Sequence, residues 1–299
     1  MDRRAFLGTA AAGATAVSLQ GAEPPIRLGV VTRVRAGQTP DSTIARVKRL
    51  GLSTCQIGVQ PMTLADVPAL KAALTRHGVE ATAVMELGPG KMVWDFYQGP
   101  STIGVVPRET RRARIEALKA AADFAEAAGV ASVQTHIGFV PEFPGDPLFA
   151  EVVTAVTEIA AHFKTKGRTL LLETGQESPV TLLRLIETVG TGNLFINLDT
   201  ANLILYGKGN PVDAMDVIGK YVRGMHAKDG LFPTDPKNLG REVPIGKGRV
   251  DFRALLLKLK AVNYHGPMTI EREIEGARQE QDILDSKKYL EGLIAEVFG

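Results

Sequence analysis

Four apolar segments in the second half of the chain end on a side chain that is able to bind a metal ion. The four residues are Glu173, Asp199, His226 and Glu271. One charged residue at a strand exit is unremarkable, and a single histidine there is more often part of a packed core. Four at successive strand ends indicate one shared site. Three carboxylates and an imidazole form a mainly oxygen-rich ligand set that suits Mn²⁺, Mg²⁺ or Co²⁺ and also admits Zn²⁺. We therefore expect a divalent metal, with Mn²⁺ as the first expectation.

The elements that must position these residues alternate along the chain as short apolar runs and amphipathic helical stretches. Continuous apolar runs are typical of strands that are buried on both faces. Eight strands are predicted: Arg27–Val31, Thr54–Val59, Glu80–Met85, Ser132–His136, Thr169–Glu173, Leu194–Asp199, Val222–His226 and Met268–Glu271. A helical pattern follows each of them, which predicts an α/β fold, the (β/α)8 TIM barrel, as a single domain. A doubly wound open sheet is the alternative, but no glycine-rich phosphate fingerprint follows the first strand.

A barrel of this kind directs the carboxyl end of every strand towards one mouth, where active sites of the fold lie. Residues from the last four strands are therefore able to meet at one ion. Two connections, Glu86–Pro107 and Gly230–Val250, are long and follow strands, so both are expected at the same mouth. Loops of this length are uncommon unless they are functional or disordered.

The composition limits the classes of partner. The chain has 299 residues, a formal net charge of +2, 44% hydrophobic residues and a single cysteine. This balance provides no basic surface for nucleic acid and none for an anionic membrane. The expected partner is a small carbohydrate, and a homo-oligomer remains open. Cys55 lies in an apolar run and is interpreted as a small buried side chain.

The N-terminus has the layout of an export signal. Arg3-Arg4 precedes a mild run rich in Ala, Gly and Thr, with small residues near Ala22. This pattern predicts a twin-arginine-type signal peptide over residues 1–22, a mature barrel over 23–299, and a periplasmic or extracellular location. A disordered basic tail is the alternative. The apolar run is too short to span a bilayer, and stable membrane insertion is not expected.

Several motifs resemble the sugar phosphate isomerase/epimerase superfamily, the xylose isomerase-like barrels. They are Leu172-Glu173-Thr174-Gly175, Asn197-Leu198-Asp199-Thr200, His226-Ala227-Lys228-Asp229, Val243-Pro244-Ile245-Gly246-Lys247-Gly248 and Ile270-Glu271. The resemblance implies that Glu173, Asp199, His226 and Glu271 are the metal ligands. It also implies that Glu173 and Glu271 are the catalytic acid/base pair on opposite faces of the substrate carbon.

Candidate substrate contacts come partly from this resemblance and partly from position. They are His136, Asn202, Arg241, Gln176, Lys228 and Trp94. Asn202 stands where ketose 3-epimerases have a substrate-binding histidine, and Arg241 matches their substrate-contacting arginine once an insertion is discounted. For the others a structural role is the alternative: Trp94 as an anchor of its own loop, and Lys228 as half of a surface ion pair.

The positions of three further sets of charged residues predict their roles. Lys228 and Asp229 are also candidates for a pair that orients His226. Glu177 is expected in a solvated turn. Four arginines around the start of one helix are interpreted as a solvated face: Arg108, Arg111, Arg112 and Arg114.

The functional prediction is a metal-dependent isomerase or epimerase of a small unphosphorylated sugar, cyclitol or keto-glycoside. A carboxylate would transfer the α-proton through an enediolate that the metal stabilises. A metal-dependent lyase or dehydratase acting on a keto-sugar is one alternative, because it begins with the same proton. An exported sugar-binding protein with a structural metal is another. A DNA-repair endonuclease is disfavoured, since it needs a histidine-rich centre and the chain has five histidines.

Overall fold

A closed barrel of eight parallel strands forms the centre of the protein in this computed structural model, which describes residues 26–299. The barrel strands are β1 (Arg27–Arg33), β2 (Thr54–Gly58), β3 (Glu80–Met85), β4 (Ser132–Thr135), β5 (Thr169–Glu173), β6 (Leu194–Asp199), β7 (Val222–Ala227) and β10 (Pro267–Ile270). A separate antiparallel hairpin, β8 (Asp229–Leu231) and β9 (Arg241–Val243), is inserted after β7. The predicted TIM barrel is confirmed, and only the hairpin adds strands to the eight expected. The predicted signal peptide, residues 1–22, lies outside the described residues and stays a prediction.

Helices separate the strands and cover the barrel. They are α1 (Pro40–Arg49), α2 (Val67–His77), α3 (Gly99–Thr102), α4 (Arg108–Ala128), α5 (Pro147–Thr165), α6 (Pro179–Val189), α7 (Asn202–Leu205), α8 (Pro211–Ile218), α9 (Phe252–Ala261) and α10 (Ala277–Phe298). The two short helices α3 and α7 lie in loops and were not expected. Between residues 26 and 299, no helix is both long and apolar enough to cross a membrane.

The strands are apolar throughout because each contributes to two buried layers. In β5, Leu170 and Leu172 pack in the hydrophobic core that the strands share with the helices. Leu171 points into the barrel instead, where a Cβ added at Gly224 would approach its Cδ1 to 3.2 Å. Alternation then directs Glu173, two residues further, into the barrel mouth. The sequence of β5 is therefore apolar from Leu170 to Leu172, and its last residue, Glu173, is the one side chain of the strand that reaches the mouth.

The two long loops meet at the carboxyl end of the barrel, as expected. The backbone N–H of Phe96 donates to the carbonyl of Lys237 at 2.8 Å, and Asp95 and Asn238 form an isolated β-bridge. This contact ties the loop after β3 to the loop within the β8–β9 hairpin. Both loops therefore form one wall of the mouth.

Arg114 corrects the interpretation of a solvated basic face. It is fully buried, and its guanidinium donates to the carbonyls of Pro89 (3.1 Å), Gly104 (2.6 Å) and Lys91 (3.3 Å). A charged fork that satisfies three loop carbonyls holds the loop after β3 against α4. The periodicity of α4 did not reveal this role, because Arg114 is buried by a loop and not by the barrel.

Arg114→Met should lower the free energy of unfolding by about 3 kcal/mol, because the side chain is fully buried and three loop carbonyls lose a charged donor. The matched control is Arg112→Met, whose side chain is exposed and pairs with Glu158, and its effect should be much smaller. Urea unfolding of both variants measures the difference. Equal effects at the two positions would contradict the anchoring role of Arg114.

Candidate metal centre

The four predicted metal ligands lie together at the carboxyl end of the barrel. Glu173 and Asp199 are the last residues of β5 and β6. His226 lies in β7, and Glu271 directly follows β10. These strands are consecutive in the barrel order, and their ladders pair Asp199 with His226 and His226 with Thr269. One potential ligand atom from each of the four residues lies within 4.8 Å of the others.

The imidazole of His226 is at the centre of this group. Its Nδ1 lies 3.1 Å from Oε1 of Glu173, 3.4 Å from Oε2 of Glu271 and 3.8 Å from Oδ2 of Asp199. Asp199 and His226 are 0% exposed. The side chain of Glu271 is 11% exposed and is therefore the member of the group that is most open to solvent.

The residues present fit a divalent cation. Oδ1 of Asp199 accepts hydrogen bonds from the backbone N–H groups of Ala201 (2.8 Å) and Asn202 (2.7 Å). Its buried Oδ2 has no hydrogen-bond partner among residues 26–299 and faces the group. A buried carboxylate oxygen without a donor is costly unless a cation binds it. Together with an imidazole and two more carboxylates, it provides a ligand set for Mn²⁺, Mg²⁺ or a similar ion.

The carboxylates of the four-residue cluster stabilise positive charge on the side chains beside them. Burial lowers the pKa of His226, but Glu173 and Glu271 outweigh it and hold the pKa well above its usual value. The same balance raises the pKa of Lys228, mainly through Glu271. Burial raises the pKa of Asp199 to about 7, against the opposing effect of Lys228.

Lys228 and Asn202, both predicted substrate contacts, adjoin the ligand candidates. Lys228 is 2% exposed, and its Nζ lies 3.2 Å from Oε2 of Glu271, 3.2 Å from Oδ1 of Asn202 and 2.9 Å from Oε1 of Glu273. Asn202 in turn donates from Nδ2 to Oε1 of Glu173 at 3.2 Å. Lys228 is therefore not half of a surface ion pair. Its neighbour Glu273 was not singled out, although it stands only two residues beyond Glu271.

Asp229 does not orient His226 and has a different role from the predicted one. Its carboxylate accepts from four backbone N–H groups, those of Gly230 (2.8 Å), Gly246 (3.0 Å), Gly248 (2.9 Å) and Val250 (3.1 Å). The segment that returns from the hairpin is therefore folded around Asp229. Gly248 is required there, since a Cβ would lie 2.0 Å from Oδ1 of Asp229.

Three other predicted contacts lie on the Glu173 side of the site. Nε2 of His136 lies 3.3 Å from Oε2 of Glu173, and its Nδ1 lies 3.2 Å from Oε1 of Gln176. Gln176 also donates to the hydroxyl of Tyr206 at 3.1 Å. The ring of Trp94 meets His136 edge-on, with centroids 5.0 Å apart. The sequence analysis missed Tyr206, which follows the unexpected helix α7.

Arg241 lies apart from the other predicted site residues. It begins β9, its side chain is exposed, and within residues 26–299 no contact joins it to the four ligand candidates. The match to a substrate-contacting arginine assumed a shorter connection after His226. The β8–β9 hairpin occupies that connection and carries Arg241 outward.

A cavity of about 760 Å³ begins at Glu271 and Trp94 and extends over the ends of β1, β2 and β3 to α1 and α10. Its arginines are paired with acidic residues: Arg35 lies 2.9 Å from Glu275, and Arg46 lies 3.0 Å from Glu280. The cavity is of the size that binds small organic ligands. The charged side chains of its lining balance, with four arginines and four glutamates.

A (β/α)8 barrel with an acidic and histidine cluster at its carboxyl end defines the class of protein. The chain belongs to the xylose isomerase-like TIM barrel family, whose model matches residues 44–293. The crystal structure of a xylose isomerase domain protein from Planctomyces limnophilus is similar, with 34% identity and a TM-score of 0.84 over 92% of this chain and 99% of that chain.

Two more distant structures share the fold. A D-tagatose 3-epimerase-like protein is 19% identical with a TM-score of 0.71, over 91% of this chain and 98% of that chain. A xylose isomerase-like TIM barrel protein from Mycobacterium smegmatis, in complex with magnesium, is 17% identical with a TM-score of 0.67, over 93% and 98%. The chain also matches two curated relatives at 25% and 26% identity, and spans 44% and 64% of their length.

Glu177 is buried, so its predicted place in a solvated turn was wrong. It is 1% exposed, and neither carboxylate oxygen has a hydrogen-bond partner among residues 26–299. Burial raises the pKa of Glu177 to about 8, against the smaller opposing effects of its own backbone N–H and of Lys208. Between an unfolded value of 4.5 and that pKa, the folded protein binds one proton more than the unfolded chain. The stability that this proton provides is complete below pH 4.5 and is lost as the pH rises to 8.

Glu177→Gln should remove this pH dependence, because the amide resembles the neutral acid. At pH 8.5 the variant should be more stable than the wild type, by at most about 5 kcal/mol, and the gap should close as the pH falls towards 5. Thermal unfolding from pH 5 to 8.5 measures it. Glu187→Gln, at an exposed position on α6, is the control and should leave the profile unchanged. If the stability of Glu177→Gln followed pH in parallel with that of the wild type, a buried and protonated Glu177 would be contradicted.

Proposed function

We propose that this protein is a metal-dependent isomerase or epimerase that acts on a neutral sugar, cyclitol or keto-glycoside. The observation that carries the proposal is the cluster of Glu173, Asp199, His226 and Glu271 at the mouth of the barrel, with the cavity opening at Glu271. The fold shared with a D-tagatose 3-epimerase-like protein supports it. An arrangement of two carboxylates beside one ion site suits proton transfer next to a carbonyl.

The four clustered residues would hold the metal. Mn²⁺ is the ion we propose first, with Mg²⁺, Co²⁺ and Zn²⁺ as the other candidates, and the related M. smegmatis structure contains magnesium. A divalent ion at this position would polarise a carbonyl group and an adjacent hydroxyl, which makes the hydrogen between them more acidic.

Glu173 and Glu271 would move the proton. One carboxylate would take the proton from the carbon next to the carbonyl, the electron pair of that C–H bond would form a C=C bond, and the π pair of the carbonyl would move to its oxygen. Return of a proton to the opposite face of the same carbon, with the C=O bond formed again, would give an epimer. Return of a proton to the former carbonyl carbon, with the proton of the adjacent hydroxyl moved to the former carbonyl oxygen, would give an isomer. Lys228, 3.2 Å from Glu271, is the cation placed to balance charge beside that carboxylate.

The residues around Glu173 would keep it in place during this transfer. His136 lies beside Oε2, and Asn202 donates to Oε1, so both oxygens have a polar neighbour. Gln176 and Trp94 hold the ring of His136 from its other sides. A carboxylate held in one orientation approaches one face of the substrate, which a stereospecific reaction requires.

The charge balance of the cavity favours a neutral substrate. Four arginines line the cavity, and each has an acidic neighbour. Arg33 lies 3.8 Å from Glu275, which also pairs with Arg35, and Arg46 pairs with Glu280. Arg272 lies 3.0 Å from Glu242 and 2.9 Å from Asp282. The volume of about 760 Å³ leaves space around one hexose ring for a glycosidic substituent. Export, which the N-terminal arginine pair predicts, would also bring the protein to a compartment in which phosphorylated sugars are scarce.

Turnover in deuterium oxide tests the proton transfer. The metal-loaded protein, given a panel of keto-sugars and keto-glycosides and followed by proton NMR, should place solvent deuterium at the reacting carbon. Glu173→Gln and Glu271→Gln should each lower the rate of product formation by about 10²–10⁴-fold, because each lacks one base. Bound metal is measured in every variant, since both residues are also proposed ligands. Glu187→Gln is the control for a surface glutamate.

Three outcomes would contradict parts of this proposal. Product without deuterium uptake would indicate a hydride shift between neighbouring carbons. Loss of a substituent from the sugar would indicate the lyase alternative. A protein that turns over no sugar and unfolds when its metal is removed would indicate a binding protein with a structural metal.

A phosphorylated sugar should be a poorer substrate than its neutral counterpart. We expect kcat/KM for the phosphorylated sugar to be about one tenth of the neutral value or lower. A phosphate group without a free cationic partner loses charge-assisted hydrogen bonds on entering the cavity. Paired assays of matched neutral and phosphorylated sugars measure the ratio. A preference for the phosphate would overturn the assignment of a neutral substrate.

A further inference from the structure

We propose that Gln56 on β2 is the positioning residue that holds His226 in the tautomer that a metal ligand requires. The inference rests on the proposed metal centre and extends it to a residue on the opposite side of His226. Gln56 is 0% exposed and lies in β2, whose first four residues are buried. An uncharged amide in the interior of a barrel strand is uncommon unless it has a specific partner.

The two nitrogens of His226 have different surroundings. Nδ1 faces the carboxylates, with Oε1 of Glu173 at 3.1 Å. Nε2 points the other way and lies 2.8 Å from Oε1 of Gln56. His226 and Gln56 are both fully buried. The hydrogen-bond partners of the imidazole are therefore side chains of the protein.

A metal ion needs the lone pair of Nδ1. A neutral imidazole carries one proton, so a free lone pair on Nδ1 places that proton on Nε2. A buried N–H without an acceptor is costly, and Oε1 of Gln56 is the acceptor at hydrogen-bond distance. The hydrogen bond from Nε2 to Gln56 therefore favours the form of His226 that coordinates through Nδ1.

Asn197 orients the amide of Gln56. Nε2 of Gln56 donates to Oδ1 of Asn197 at 2.9 Å, and Asn197 is also 0% exposed. With its NH₂ group directed to Asn197, Gln56 presents its oxygen to His226. Gly224 leaves the space for this pair, because a Cβ there would lie 2.8 Å from Oδ1 of Asn197 and 3.5 Å from Nε2 of Gln56.

Because Gln56 is an amide, it adds no negative charge to the site. Three carboxylates already surround Nδ1 of His226. A carboxylate on the Nε2 side would add a further buried negative charge, whereas Gln56 accepts the same hydrogen bond without one. Gln56 acts through His226 and has no contact with the proposed substrate cavity.

The test compares four forms of the full-length protein: wild type, Gln56→Leu, Gln56→Glu and Gln134→Leu. Gln134 is the matched control, since it is a glutamine that is also 0% exposed on a barrel strand, β4, and its amide has no hydrogen-bond partner among residues 26–299. Affinity for Mn²⁺ and Zn²⁺ is measured by competition with a chelator. ¹⁵N NMR of the Zn²⁺-loaded protein, with histidine labelled, reports which nitrogen of His226 carries the proton, and thermal unfolding checks that each variant is folded.

Wild-type protein should show a protonated Nε2 that exchanges slowly with solvent. Gln56→Leu should bind both ions about 10- to 100-fold more weakly and lose the slowly exchanging Nε2 proton. Gln56→Glu keeps an acceptor for Nε2 but loses the donor to Asn197, so it should retain the slowly exchanging Nε2 proton. Gln134→Leu should match the wild type in both measurements.

The proposal is overturned by wild-type affinity and an unchanged Nε2 signal in Gln56→Leu, or by an equal loss of affinity in Gln134→Leu. A wild-type protein that binds no divalent ion through His226 overturns both the metal centre and this role. The expected NMR and affinity pattern without turnover of any sugar would leave the role of Gln56 standing and refute only the proposed function.

Discussion

The mutual repulsion of three carboxylates at the mouth of the barrel is the constraint on which the site depends. Glu173, Asp199 and Glu271 approach one another within a buried space, and burial alone would force protons onto them. The surrounding residues respond with positive charge and donors: His226 and Lys228 between the carboxylates, and backbone N–H groups on one oxygen of Asp199. A bound cation would balance the remaining negative charge of such a group. The proposed chemistry depends on the same concentration of negative charge.

The barrel topology explains why the fold and the ligand candidates could be predicted from the sequence. A residue at the end of a parallel barrel strand has its position set by the strand, so an apolar run followed by Glu173 or Asp199 is sufficient to place that side chain at the mouth. Strand limits were recovered to within two residues at each end, because alternation into two buried layers leaves little freedom in register.

The misplaced residues all lie where loops, and not strands, determine burial. Arg114 and Glu177 look like surface residues in their local sequence, but both are buried, and the loop after β3 covers Arg114. Asp229 looks like a partner of its neighbour Lys228, but it binds the backbone near Gly248. Gln56 lies in a predicted strand, but its partner His226 is 170 residues away, and local periodicity carries no information about such a contact.

The four hydrogen bonds that Asp229 accepts have a consequence for how members of this fold diverge. They close the base of the β8–β9 insertion directly beside Lys228, so the chain between Leu231 and Arg241 is held at both ends independently of what it contains. Insertions and deletions at the tip would then leave the carboxyl end of β7, with His226, undisturbed. A base closed in this way allows the tip of the hairpin to change in length and sequence while the cluster of carboxylates and His226 keeps its geometry.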